Sequence, residues 1–243
     1  MAYIQVRVPR RIADAVARGE LSQNDLAGLV IRYYSQTLPQ NRVIDFQPAD
    51  DGKVKTQEVW IPYFNEQKKP MVSAPDVYRA GQEGNPRLIA RLKRDFGESW
   101  LVSSTRESYK PDTLNARITH NHGSTVVQPT SQNILVPVYS DKPLDQVLKD
   151  NDGVAYLQVK FGTQDKPDAI EKTLADLSGK SPDLIRVWTP DQANRANYSE
   201  RAAGFDFGGG QFLVSGGYGA DDDSGRSRGV SIKSEKPTRK NKR

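Results

Sequence analysis

In residues 85–109, NPRLIARLKRDFGESWLVSSTRESY, the signature of a helix is followed directly by that of a strand. Asn85 is a good N-cap because its side chain accepts from the free N–H groups of a first turn. Pro86 suits the first helical position, where a missing N–H costs nothing, and Gly97 marks a C-terminal stop. Leu88, Ile89, Leu92 and Phe96 form one stripe at helical spacing, while Arg87, Arg91, Lys93 and Arg94 occupy the other sides. That basic face reads either as a nucleic-acid surface or as a solvated face. From Trp100 the pattern turns to strand, so this one segment already calls for a fold that mixes helices with strands.

Working outward, further strands are expected at 114–119, 124–128, 134–139, 154–161 and 184–188. A short helix fits 144–149. A clearer one fits 167–178, with Ile170, Leu174 and Leu177 inward and Gly179 at its end. Residues 191–201 read as a polar helix or turn and 205–217 as a glycine-broken hairpin. Upstream, a short strand at 43–46 is ended by Pro48 and Asp50-Asp51, a second is expected at 54–62, and 66–83 carries only weak signals. The fold class is therefore α+β: a strand-rich main domain over 37–220, a small N-terminal strand-helix-helix unit over 1–36, and a disordered basic C-terminal tail over 221–243 that is acidic first and basic after.

Of the 243 residues, 36% are hydrophobic and 27% charged, ordinary for a chain that packs a core. There is no run of eighteen apolar residues and no apolar signal segment near Met1, so the expected partners include no membrane. The absence of cysteine excludes disulfides, thiolate zinc sites and cysteine nucleophiles. A cytoplasmic protein of a prokaryote or a mobile element, without a cofactor, fits best. The net charge of +5 is unevenly placed. Arg226, Arg228, Lys233, Lys236, Arg239, Lys240, Lys242 and Arg243 stand against Glu235 alone, a local +7, and subtracting this from +5 leaves −2 for residues 1–225. A tail of that kind holds polyanions by releasing counterions, or serves solubility and assembly.

At the N-terminus, Tyr3-Ile4-Gln5-Val6-Arg7-Val8 alternates, with Ile4, Val6 and Val8 on one face and Tyr3, Gln5 and Arg7 on the other. Pro9 closes the strand and opens a helix. With Pro9-Arg10-Arg11-Ile12 and the segment Ser22-Gln23-Asn24-Asp25-Leu26-Ala27-Gly28-Leu29-Val30-Ile31-Arg32-Tyr33-Tyr34, this unit resembles ribbon-helix-helix DNA-binding proteins over about 35 residues. The resemblance implies that two chains pair their strands into a ribbon that enters the major groove. Tyr3, Gln5 and Arg7 would then face the bases, and Ser22 would cap a second helix whose first N–H groups lie near a phosphate. The alternative is a strand and helical hairpin packed on the main domain.

Other candidates are fewer. His120-Asn121-His122 holds both histidines of the chain. On a strand they would share a face and could hold a divalent metal if an acid such as Asp112 joined them; a polar turn before Gly123-Ser124 is the other reading. No metal site is required. Arg106, among Ser103, Ser104, Thr105 and Ser108, is a phosphate candidate on a hydroxyl-rich strand. The glycine loops at 208–210 and 216–219 lack a P-loop or dinucleotide pattern, and Asp221-Asp222-Asp223 reads as a hard-cation chelator or a charged linker. Three functions follow: a non-enzymatic nucleic-acid-binding protein, an enzyme on a phosphate-containing substrate centred on Arg106, His120 and His122, or a subunit of a homo-oligomeric assembly.

Overall fold

The computed structural model describes residues 42–111, 113–195, 199–221 and 225–234. The chain divides into two units, Met1–Arg42 and Val43–Arg243, and the described residues after Arg42 belong to the second. The strand-helix-helix unit, with Tyr3, Gln5, Arg7 and Ser22, lies outside the described residues.

The helix at the heart of the sequence reading forms as its signals require. It is α3, Pro86–Glu98, and the Asn85 side chain accepts from Arg87 N and Leu88 N. Leu88, Leu92 and Phe96 are buried. Gly97 does not stop it: the chain turns extended two residues later, at Ser99. The strand that follows is β2, Leu101–Tyr109, the third strand from one edge of a curled sheet of seven.

The order in that sheet is β4 (Thr130–Leu135), β3 (Asn115–His120), β2, β7 (Glu200–Gly208), β8 (Gln211–Gly219), β6 (Ile185–Trp188) and β5 (Lys142–Pro143). Every neighbouring pair is antiparallel except β6 with β8. The hairpin of β7 and β8 turns at Gly209-Gly210, where both residues have positive φ, 57° and 81°, which glycine adopts without strain. A second sheet pairs β1, Arg42–Pro48, with β9, Arg228–Ser234.

Both faces of the large sheet are covered near its centre. On one face lie α2 (Ala74–Glu83), α3, α5 (Asn151–Phe161) and α6 (Pro167–Ser178), packed into the main core with Leu101, Ile118, Val187, Phe205 and Val214. On the other, α1 (Gln57–Glu66) lays Trp60, Ile61 and Phe64 against Trp100, Val102 and Ala202. The shortest helix, α4, is Leu144–Val147. With nine strands and six helices among the described residues, the architecture is α+β.

Five expectations change. Residues 54–62 form not a strand but the start of α1, because Thr56 accepts from Val59 N as an N-cap and Trp60, Ile61 and Phe64 share a buried helical stripe around the internal Pro62. Residues 66–83 contain α2, started by a reciprocal capping box in which Ser73 accepts from Asp76 N and Asp76 from Ser73 N. The expected strand at 154–161 is α5, with Asp150 capping and Tyr156, Leu157, Lys160 and Phe161 inward. Finally, 124–128 is a loop. Its N–H groups at Val126 and Val127 go to the Ser124 hydroxyl, and Thr125 N goes to Asn65 of α1. The strand beyond it runs over Thr130–Leu135, earlier than 134–139.

Part of the stretch expected as a tail is folded instead. Residues 225–234 belong to the fold, and Val72 N donates to Arg228 O, Val102 N to Arg226 O and Val230 N to Pro70 O.

Candidate functional site

Arg226 and Arg228 leave this returning segment and meet α3. Arg228 Nη2 donates to Asp95 Oδ1 at 2.7 Å while its Nε reaches Asp95 Oδ2, and Arg226 pairs with Glu98. Helical spacing puts Arg91, Asp95 and Glu98 on one side of α3, with Arg94 beside them. Together with Ala49, Gly52 and Ser227 these residues line an open cleft of about 480 Å3. Gly52 has φ +77° and lies against the Arg226 guanidinium; a Cβ there would stand 3.7 Å from Arg226 Cζ. Four guanidinium groups and two carboxylates line the cleft, a local +2. Arg91 and Arg94 are exposed at its mouth. The volume lies within the roughly 300–1,000 Å3 of small-ligand sites. Chemically, the arrangement suits a planar, multidentate grip on phosphate or carboxylate oxygens.

The remaining sequence candidates fall elsewhere. Lys233 lies on β9, whereas Lys236, Arg239 and Lys240, like Asp112 and Asp222-Asp223, lie outside the described residues. Gly208 ends β7, and Gly209-Gly210 form the hairpin turn.

Arg106, His120 and His122 do not converge. Arg106 pairs in register with Thr119, one residue before His120, so the side chains of Arg106 and His120 leave opposite faces of the sheet. The Arg106 guanidinium is buried against α1: Nε donates to Gln57 Oε1 at 2.8 Å, Nη2 to Glu58 Oε1 at 2.5 Å, and Nη1 lies 3.8 Å from Glu200 Oε2. It is a clamp between α1 and the sheet. His120 is spanned by two bonds. Thr105 Oγ1 accepts from Ala74 N at 3.0 Å and lies 3.0 Å from His120 Nδ1, while His120 Nε2 lies 2.9 Å from Val159 O. A carbonyl only accepts, so Nε2 carries the proton and Nδ1 receives the threonine hydroxyl. Burial lowers the His120 pKa below its ordinary value, which keeps this neutral form. The strand ends at His120 and His122 follows a turn at Asn121, with φ +53°, so the two rings do not share one face of a strand. Its pKa is lowered by burial and then by the Arg106 cation. Among the described residues no group of three His, Asp or Glu side chains is arranged to hold a metal ion.

A buried polar cluster on the core side was not foreseen. Glu107 of β2 and Lys160 of α5 are both fully buried, and Lys160 Nζ donates to Glu107 Oε1 at 2.5 Å. The other two ammonium protons go to Tyr156 Oη and Ser215 O, each at 2.9 Å. Glu107 Oε2 accepts from the hydroxyls of Tyr109 at 2.6 Å and Tyr156 at 3.1 Å. Burial lowers the pKa of Lys160, and burial with the neighbouring Glu107 charge raises both tyrosines well above the usual phenol range. Room for it comes from a bulge in β8, where three residue steps from Ser215 to Tyr218 face two from Gly204 to Ala202. A Cβ at Gly216 would stand 2.5 Å from Glu107 Oε2. With every ammonium proton placed, this cluster is a polar joint between α5 and the sheet. The sequence signal was the spacing of Tyr156 and Lys160, one helical turn apart, which disappears when 154–161 is read as a strand.

No protein-family model matches the chain, and no curated protein or solved structure matches it. The functional reading therefore rests on the cleft and on the sequence. No helix among the described residues is long and apolar enough to cross a membrane.

Proposed function

We propose that this chain is a non-enzymatic nucleic-acid-binding protein of prokaryotic or mobile-element origin. The observation that carries the reading is the cleft in which Arg91 and Arg94 of α3 stand beside Arg226 and Arg228. Residues of two stretches singled out separately by their basic residues come together there, Arg91 and Arg94 from 87–94 and Arg226 and Arg228 from the start of 226–243. Asp95 and Glu98 hold Arg226 and Arg228 in place, Arg91 Nη1 reaches Phe46 O at 3.5 Å, and the exposed side chains of Arg91 and Arg94 stand at the mouth of the cleft, where phosphate oxygens would meet them. The basic residues from Lys236 onward add affinity without sequence preference, and Tyr3, Gln5 and Arg7 supply the base-reading strand implied by the ribbon-helix-helix resemblance.

Fluorescence anisotropy with labelled single- and double-stranded oligonucleotides over a salt series tests this. Wild type should show a steep fall of log K with log salt. The Arg91→Ala/Arg94→Ala variant should lose about 0.9 of slope for each duplex phosphate contact removed. Deletion of residues 235–243 should weaken all sequences alike, and Arg7→Ala should blunt sequence preference. An unchanged slope in the double variant removes the cleft from the reading, and salt-insensitive or absent binding by wild type ends it.

A further inference from the structure

The two edges of the large sheet are built in opposite ways. At one end, β5 is only Lys142–Pro143, a two-residue strand holding a lysine and a proline. Shortness, lysine and proline are each devices that prevent strand addition. At the other end, β4 is Thr130–Leu135, TSQNIL, six residues with none of these devices. It pairs with β3 through all six residues, and its outer edge has no partner strand among the described residues.

The bareness extends beyond the strand. From Asn121 to Ser140 there is no Asp, Glu, Lys or Arg, in a chain that is 27% charged. The same stretch carries Val126, Leu135 and Val138 at 39%, 38% and 40% exposure, half of the large hydrophobic side chains exposed among the described residues. A solvated edge loop would be expected to carry charge; this one offers open backbone groups and apolar side chains together.

We infer that β4 is the pairing surface for a second copy of this chain, joined antiparallel about a two-fold axis so that the two sheets run on as one. The charge pattern selects this occupant. An acidic or a basic strand finds no counter-charge anywhere along β4, whereas two copies set uncharged Thr, Ser, Gln and Asn side chains opposite one another, where they exchange hydrogen bonds. The nearest cations on the exposed face, one Arg117 in each copy, pair with Asn133 from the next strand in. With strands about 4.8 Å apart they are separated by roughly 14 Å, beyond the screening length of about 8 Å at physiological salt. An antiparallel two-fold contact is also closed, so it satisfies the edge without opening a fibre.

Light scattering of the full chain after size exclusion, across a micromolar concentration series, reads the outcome. Wild type should have at least twice the mass of one chain. Asn133→Lys and Asn133→Glu, on the exposed face of β4, should each lower that mass by half or more with an unchanged circular-dichroism spectrum, and an equimolar mixture of the two should recover it. Ser131→Lys with Ser131→Glu repeats the test should the first pair perturb folding. A monomeric wild type, a mass indifferent to these charges, or a mixture that fails to recover overturns the inference. The oligonucleotide assay is independent of this result, so the nucleic-acid reading and the β4 contact fail separately.

Discussion

Removing one member of the Glu107–Lys160 pair should be among the most damaging single changes in the described part of the chain. Lys160→Met leaves the Glu107 carboxylate fully buried with only the hydroxyls of Tyr109 and Tyr156 as donors. Glu107→Gln leaves a fully buried ammonium whose 2.5 Å partner has lost its charge. Breaking a buried pair from one side costs about 3–5 kcal/mol, because the surviving charge is neither solvated nor balanced. For a domain of this size, each kcal/mol moves Tm by about 2–4 °C, so either variant should melt roughly 6–20 °C lower. The double variant should do better than either single one. The introduced amide oxygen still accepts the tyrosine hydroxyls, the methionine fills the space of the lysine stem, and no charge is stranded. Urea titrations of the four proteins, followed by tryptophan fluorescence and far-ultraviolet circular dichroism, give the coupling as a double-mutant cycle. Single variants that lose less than about 1 kcal/mol, or a double variant whose loss is the sum of the two, would refute the claim that this pair is dry and mutually dependent.

The chain should lose stability as pH falls below the ordinary histidine value of 6.5. His120 binds its proton less readily folded than unfolded, so its contribution is complete above 6.5 and is lost as pH falls toward the folded pKa; His122 has the same sign. His120→Gln should flatten the dependence of urea midpoint on pH between about 7 and 5, by up to about 1.4 kcal/mol per pH unit; a profile identical to wild type would contradict the neutral, bridging role. Gly217→Ala should destabilise strongly, since a Cβ there would lie 1.9 Å from the Trp188 ring, and Gly216→Ala should do so through Glu107. Gly208→Ala, which meets nothing within 4 Å, is the matched control, and equal melting temperatures for all three would remove the argument for the bulge.

Local chemistry explains which elements were readable. Asn85 before Pro86 and Gly179 after Ser178 act within one helical turn, and α3 and α6 formed where those signals lie. The apolar runs around Trp60 and Leu157 carry aromatic and branched residues that suit a buried strand or a buried helix equally, and periodicity does not separate the two over so few residues. Thr56 and Asp150 separate them, because each side chain caps the free N–H groups that a helix leaves and a strand does not. Arg106 and His120 were visible as polar residues close in sequence, yet the alternation of a strand sends them to opposite faces.

The sequence by itself determined the α+β class, the caps of α3 and α6, the two basic stretches and the uncharged run from Asn121 to Ser140, because each is a property of neighbouring residues. Tertiary structure alone decided that Arg228 meets Asp95 across 133 positions, that Lys160 meets Glu107 across 53, and that the uncharged run supplies a sheet edge. Those outcomes depend on which faces pack and which strand comes last, and nothing local to either partner records them.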